Sequence, residues 1–376
     1  MTYFPPKDWS AKAPADLGFD PDRLDAAIAW HRAHETKWAR DFVLGGRYVG
    51  VADEPDTLPS VPDYVPGLLG PVRPRGGPNG LVVRHGLIAA QWGDTRRADM
   101  TFSVAKSYLA ILTGVALGRG LLGSIDDPVR DAAPDETFEA TQNRDITWRH
   151  LLQQTSEWQG TLWGKPDSID HNRDVGKSEL GNATKGQARP MRPPGTLWEY
   201  NDVRVNRLSL SLLQLFREPL ADVLRKAVMD PIGASGSWQW EPYRNSWANI
   251  GEQRLPSVPG GSHWGGGLWM STRDHARVGL LVARGGRWER RDLLPAGWVD
   301  EMRRPSAINP EYGLLWWLNT GGRQFPAAPE SSYAARGAGS NVIWLDPERD
   351  LVVVVRWIDK GSVAGFVKRV VDSVSA

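Results

Sequence analysis

Two β-rich hairpin patterns lie far apart in this chain, and any fold it adopts must accommodate both. "GLVVRHGLIAAQWGD" (80–94) sets two short β-favouring runs on either side of Arg84-His85-Gly86. "NVIWLDPERDLVVVVRW" (341–357) repeats the form, turning through Asp346-Pro347-Glu348-Arg349-Asp350. The middle, roughly Asp127 to Ser262, reads instead as helices and loops, with "ITWRHLLQQTS" and "VNRLSLSLLQLFREPLADVLRKAVMDPIG" as its clearest helical parts. The layout predicts a sheet assembled from both ends of the chain, with a mostly helical lobe inserted between them. The expected units are 1–126 plus 263–376 for the sheet domain and 127–262 for the lobe.

Helices flank the hairpins. "DPDRLDAAIAWHRAHE" has an Asp20-Pro21 start, early acids and apolar positions at Leu24, Ala27 and Ile28. "SVAGFVKRVVDSV" near the C-terminus is amphipathic. "AKSYLAILTGVALGRG" is apolar almost throughout and ends at Gly118 and Gly120. Between Val43 and Asn79, proline and glycine interrupt any period, which predicts a long ordered loop or a flap.

Composition removes several function classes. A chain of 376 residues can build a large core. A formal charge of +1 without a basic run gives no case for nucleic acid. With no cysteine there is no disulfide, thiol nucleophile or thiolate metal site. The first residues lack a basic stretch followed by an apolar one, and no apolar run is long enough to span a bilayer. The expectation is a cytoplasmic protein without membrane or nucleic-acid partners. Of its 19 tryptophans, about half lie between Trp148 and Trp269, often beside glycine or proline. They can brace irregular loops or wall an apolar cleft.

The chemistry centres on "TFSVAKS". Ser103 precedes Lys106 by three residues at the start of the apolar helix, so hydroxyl and amine share a face. That pair suits a nucleophile and its base, because burial and a helix N-terminus both disfavour the ammonium. The same residues also suit a helix cap and a solvated lysine. Tyr200 in "PPGTLWEYNDVRVNRL", on a loop just before a helix, is the candidate second proton carrier. Other hydrolase and nucleotide signatures are missing. There is no Gly-x-Ser-x-Gly; His34-Glu35 is followed by Trp38 where a zinc helix needs histidine; the glycines at 265–267 have no βαβ context. The seven histidines show no metal spacing, and no metal or cofactor is expected.

Five blocks in order, "GLVVRHGLIAAQWGD…TFSVAKS", "HLLQQTS", "PPGTLWEYND", "GGGLWMSTRDHARVG" and "NVIWLDPERDLVVVV", resemble the serine hydrolases built like class C β-lactamases and penicillin-binding proteins. The resemblance runs from about Gly80 to the C-terminus. It implies an α/β (α+β) fold with an antiparallel sheet, helices on both faces and an inserted helical lobe. It also implies that Ser103 is acylated while Lys106 and Tyr200 handle protons. Two departures stand out. Tyr200-Asn201-Asp202 replaces the commoner Tyr-x-Asn, setting a carboxylate where an amide usually meets substrate. Ala335-Arg336-Gly337 replaces Lys-Thr-Gly, so the usual cation is lost; Arg336 is adjacent, but regular alternation turns it to the other face of a strand. The pattern is closest to esterases and 6-aminohexanoate-dimer hydrolases of the superfamily, implying a small ester or amide substrate. Asp202, Arg336, Gly337 and Ala338 are the expected substrate contacts, and the oxyanion hole would combine the Ser103 amide with one at or just after Gly337. A β-lactamase, a D-amino-acid peptidase and an inactive binding protein of the same fold are the alternatives.

Overall fold

The computed structural model describes residues 3–175 and 184–375. Its main sheet has six strands: β1 (Asn79–Arg84), β2 (Leu87–Trp92), β3 (Trp317–Leu318), β4 (Tyr333–Gly337), β5 (Asn341–Asp346) and β6 (Leu351–Arg356). They lie in the order β3-β4-β5-β6-β1-β2, and every neighbouring pair is antiparallel. The two sequence hairpins form as β1-β2 and β5-β6. They meet through β6 and β1, from Leu351 opposite Arg84 to Arg356 opposite Asn79.

Among the described residues there are five longer helices, α1 (Pro21–Ala33), α2 (Val104–Gly118), α3 (Asp202–Phe216), α4 (Thr272–Ala283) and α5 (Val363–Ser373); α3 lies in the lobe and the others cover the sheet. Strand alternation divides the core between the two faces. Val82, Val342, Trp344, Val353 and Val355 pack with Leu24 and Ala27 of α1 and with Phe366 and Val370 of α5. Leu81, Val83, Ile343, Leu345, Val352 and Val354 join the larger core that includes α2, α4 and the lobe. Both faces are covered, and for that reason β6 reads as the unbroken run "LVVVV". Asp20 caps α1 by accepting from the Arg23 amide, with Pro21 in the first turn, as the local sequence predicts.

Within the lobe, Thr147 and His150 form a reciprocal cap on the helix Trp148–Leu152. The long helical pattern after it is interrupted: α3 ends at Arg217 in a left-handed conformation, and Pro219 starts the next helix, Leu220–Leu224. The lobe also contributes a strand, Gln239–Glu241. It pairs with Gly267–Met270, which in turn pairs with Asp99–Met100. That small sheet ties the lobe to the backbone just ahead of Ser103. The Pro/Gly-rich segment forms no long element, yet Phe42, Tyr48, Val51 and Leu69 bury their side chains in the core, so it is a packed loop. Among the described residues no helix is long and apolar enough to cross a membrane.

Candidate active site

Helix α2 is buried on all sides, and the site is built on its first turn. Phe102, immediately before Ser103, has φ of 50°, a costly conformation for a residue with a side chain. Its ring is held edge-on by Trp38 and Phe42, with centroids 5.4 Å away in each case, and by Trp357 at 6.3 Å. This aromatic packing stabilises a backbone turn that the isolated sequence would avoid. Ser103 makes no side-chain capping bond. Lys106, 1 % exposed, donates from Nζ to Ser103 Oγ at 2.8 Å. The cap and the solvated lysine are therefore both wrong for this pair.

Gly337 at the end of β4 lies against this turn. A Cβ there would stand 2.3 Å from the Thr101 carbonyl oxygen and 3.2 Å from the Ser103 nitrogen. Glycine is required because the backbone of Thr101 to Val104 approaches the strand.

Tyr200 stands on the loop before α3. Asn201 N–H donates to Gln154 Oε1 at 2.8 Å, and the Asn201 side chain caps α3 by accepting from the amides of Val203 and Arg204. Buried Arg204 reaches Glu157, Glu199 and Asp167, which anchors the loop from below. The Tyr200 ring stacks on Trp317 (5.8 Å, 28°) and has Lys106 Nζ 4.7 Å from its centroid. Burial and then Asp202 push its hydroxyl above the ordinary tyrosine value, and a hydrogen bond with Ser103 partly opposes them.

Asp202 is buried at the first turn of α3. It pairs with Lys106 through Oδ1 and with Arg173 through Oδ2, and His263 Nδ1 lies 3.1 Å from Oδ2. Burial alone would raise its pKa, but Lys106, Arg173 and His263 hold it well below the usual carboxylate range. Burial, with a smaller push from Arg173, lowers Lys106 from the ordinary lysine value, and Asp202 opposes it. The carboxylate expected to meet substrate is thus largely committed to side chains of the protein itself. Asp170, Asp202 and His263 bring donor atoms within 4.8 Å of one another. Arg173 already reaches both carboxylates, and we assign no metal ligand here.

Arg336 corrects the expectation from strand alternation. Ala335 is buried in the core, but the Arg336 guanidinium lies 5.9 Å from the Trp317 ring centroid and lines the cavity beside Gly337 and Ala338. The reason is the short edge strand: β3 pairs only with Tyr333 and Ala334, so Arg336 lies past its end and folds round it. The cavity is about 1120 Å³ and includes Ser103, Tyr200 and Asp202 in its lining. Trp38, Trp198 and Trp317 also line it, while Trp148, Trp158 and Trp264 are fully buried, so the tryptophans serve both expected purposes.

Arg173, His263 and Glu54 escaped the sequence reading. "SIDHNRDVG" and "GGSHWGGG" carry no local spacing that marks them, and Glu54 lies in the Pro/Gly-rich loop. Their relevance arises only from where the fold brings them.

The family model described as Beta-lactamase matches residues 94–366. A penicillin-binding protein homologue from Caulobacter crescentus superposes with a TM-score of 0.60 at 14% identity, covering 95% of this chain and 99% of its own. A protein from Bacillus anthracis described as a candidate 6-aminohexanoate-dimer hydrolase gives 0.55 at 15% identity, covering 98% of this chain and 97% of its own. EstCE1, a hydrolase with promiscuous acyltransferase activity, gives 0.56 at 16% identity over 82% of this chain and 94% of its own. Such identities establish a shared fold and no shared substrate. A search of curated proteins finds no match. With the family match spanning most of its length and the fold agreeing, the chain belongs to the beta-lactamase family.

Proposed function

We propose that the protein is a serine hydrolase that cleaves a small ester or amide through an acyl-Ser103 intermediate, nearest in character to the esterases and amide hydrolases of its superfamily. The observation that carries this reading is Lys106 Nζ, buried and 2.8 Å from Ser103 Oγ, at the lining of a large cavity. Lys106 takes the proton of Ser103 as Oγ attacks the substrate carbonyl carbon. The negative oxygen is met by the Ser103 amide and by the amide of Ala338, which follows Gly337. Collapse of this intermediate breaks the bond to the leaving group, which receives its proton through Tyr200. Water then attacks the acyl-serine by the reverse proton path, releasing the acid and restoring Ser103.

A second reading has support from two positions. With its charge met by Lys106, Arg173 and His263, Asp202 does not present a bare negative charge to an anionic substrate. Arg336 adds a cation to the cavity. Hydrolysis of a carboxylate-bearing amide, a β-lactam included, is therefore compatible with the electrostatics of the site.

The deciding experiment compares p-nitrophenyl butyrate with nitrocefin and labels the protein with a fluorophosphonate, mapped by mass spectrometry. Ser103 should carry the label, and Ser103→Ala should reduce turnover to background with the thermal midpoint kept. Labelling at another serine overturns the assignment. Nitrocefin equal to or better than the ester selects the second reading, and no turnover with either points to the binding-protein alternative.

A further inference from the structure

Resting on the reading of Ser103 and Lys106 as nucleophile and base, we infer that His263 is a positioning residue: a charged imidazolium clamped between Glu54 and Asp202 that sets how firmly Asp202 holds the proton on Lys106. His263 Nδ1 lies 3.1 Å from Asp202 Oδ2, and its Nε2 lies 2.9 Å from Glu54 Oε1. An ionised carboxylate only accepts hydrogen bonds, so both ring nitrogens must donate, and the ring that satisfies both is the imidazolium.

Glu54 is a rigid anchor for this clamp. It accepts from Trp264 Nε1 at 2.8 and 3.0 Å and pairs with Lys165 at 2.8 Å. Burial would raise its pKa, but the hydrogen bond and charge of His263, with Lys185 and Lys165, bring it down to about 2. The loop carrying it is pressed onto the histidine's backbone: a Cβ on Gly50 would fall 1.7 Å from the His263 carbonyl oxygen. The groups that face His263 are Asp202 from α3, Glu54 from the Pro/Gly-rich loop, and Asp170 and Lys185 from the lobe; Lys106 and Arg173 lie beyond Asp202, and Trp264 is its neutral neighbour. Burial and Lys185 lower the imidazole pKa, while Asp170 and the bonds to Asp202 and Glu54 raise it, with a net rise.

The consequence falls on Lys106. Lys106, Arg173 and His263 all draw on the one Asp202 carboxylate. Removing the charge on His263 leaves Asp202 more available to the Lys106 ammonium, which then gives up its proton less readily. A neutral Lys106 is needed to accept the Ser103 proton, so the clamp keeps the base usable at lower pH.

The test combines imidazole ¹⁵N spectra of the wild type at neutral pH with pH profiles of kcat/KM for p-nitrophenyl butyrate. The profiles are measured for wild type, His263→Gln and Glu54→Gln, each checked for an intact thermal transition. The expected results are a doubly protonated His263 and an acidic limb moved up by about one pH unit in His263→Gln. That is about a tenfold loss below the limb, with activity converging at alkaline pH. Glu54→Gln should move the limb in the same direction by less. A neutral His263 ring in the wild type overturns the inference, even if Glu54→Gln fails to fold by stranding Lys165. A limb that stays or moves down also overturns it, as does a loss uniform across pH. Failure of the underlying reading shows separately, as wild-type protein whose Ser103 takes no fluorophosphonate label.

Discussion

Two buried histidines, one on each side of the central sheet, are held in opposite ways. On the face covered by α1 and α5, His31 is enclosed among Leu24, Ala27, Trp92 and Phe366. Trp92 Nε1–H donates to His31 Nδ1 at 2.9 Å, and His31 Nε2 lies 3.1 Å from the Arg356 carbonyl oxygen. An indole N–H only donates and a carbonyl only accepts, so the ring is neutral with its proton on Nε2. On the lobe side, His263 is held between the carboxylates of Asp202 and Glu54, which in turn pair with buried Lys106 and Lys165. Burial is common to both sites; the partners decide whether charge survives it. A buried ion pair is weak evidence for stability. Under the proposed function, the terminal-helix face is the stabilising one and the charged side the one that serves chemistry at some cost to packing.

That contrast predicts opposite responses to mutation. The largest should come from Lys106→Arg, which keeps the charge but cannot deprotonate near neutral pH. Turnover of p-nitrophenyl butyrate should fall about a thousandfold, to within a few-fold of Lys106→Ala. Substantial activity in the arginine variant would show that charge alone suffices and would erase the chemical distinction between the faces. Gly337→Ala comes next, because its Cβ would stand 2.3 Å from the Thr101 carbonyl oxygen. Displacing the Ser103 turn should lower kcat by about a hundredfold and destabilise the fold by about 1–3 kcal/mol. Normal kinetics in that variant would mean that the turn tolerates displacement.

The other face should respond in stability alone. Phe366→Ala removes a fully buried ring and should cost about 3–5 kcal/mol in urea unfolding. The kcat/KM of the folded fraction should stay at the wild-type value, and a change in it would couple the two faces. The last effect concerns pH. Burial brings His31 down to about 4 from the ordinary 6.5, with a further lowering from Arg32 and an opposing bond to Arg356. The unfolded chain therefore takes up this proton first as pH falls. The His31 contribution is complete above about 6.5 and is lost progressively towards pH 4, amounting to about 3 kcal/mol. His31→Gln should flatten that part of the stability–pH curve, measured as unfolding midpoints at pH 4.5, 5.5 and 7. An unchanged slope would mean that His31 is already protonated when folded.

By itself the sequence determined the features that depend on neighbours along the chain. The hairpin at 80–94, its counterpart at 341–357, the capped α1 and the apolar α2 each follow from periods and end signals within a few residues. The juxtaposition of Ser103 and Lys106 was also legible, because three residues on a helix set a fixed geometry. Tyr200 and Gly337 were identified through the order of motifs, although the reason Gly337 must be glycine lies in the Thr101–Ser103 backbone packed against it. Tertiary structure alone decided how the charges are partnered. Asp202 lies 96 residues from Lys106, and Glu54 lies 209 residues from His263, so no local period can announce either pairing. Alternation along a strand pointed Arg336 away from the site, but a two-residue edge strand let it turn back. Periodicity determines which side chains are buried, whereas a buried charge is stabilised only by the groups the fold brings against it, and those come from anywhere in the chain.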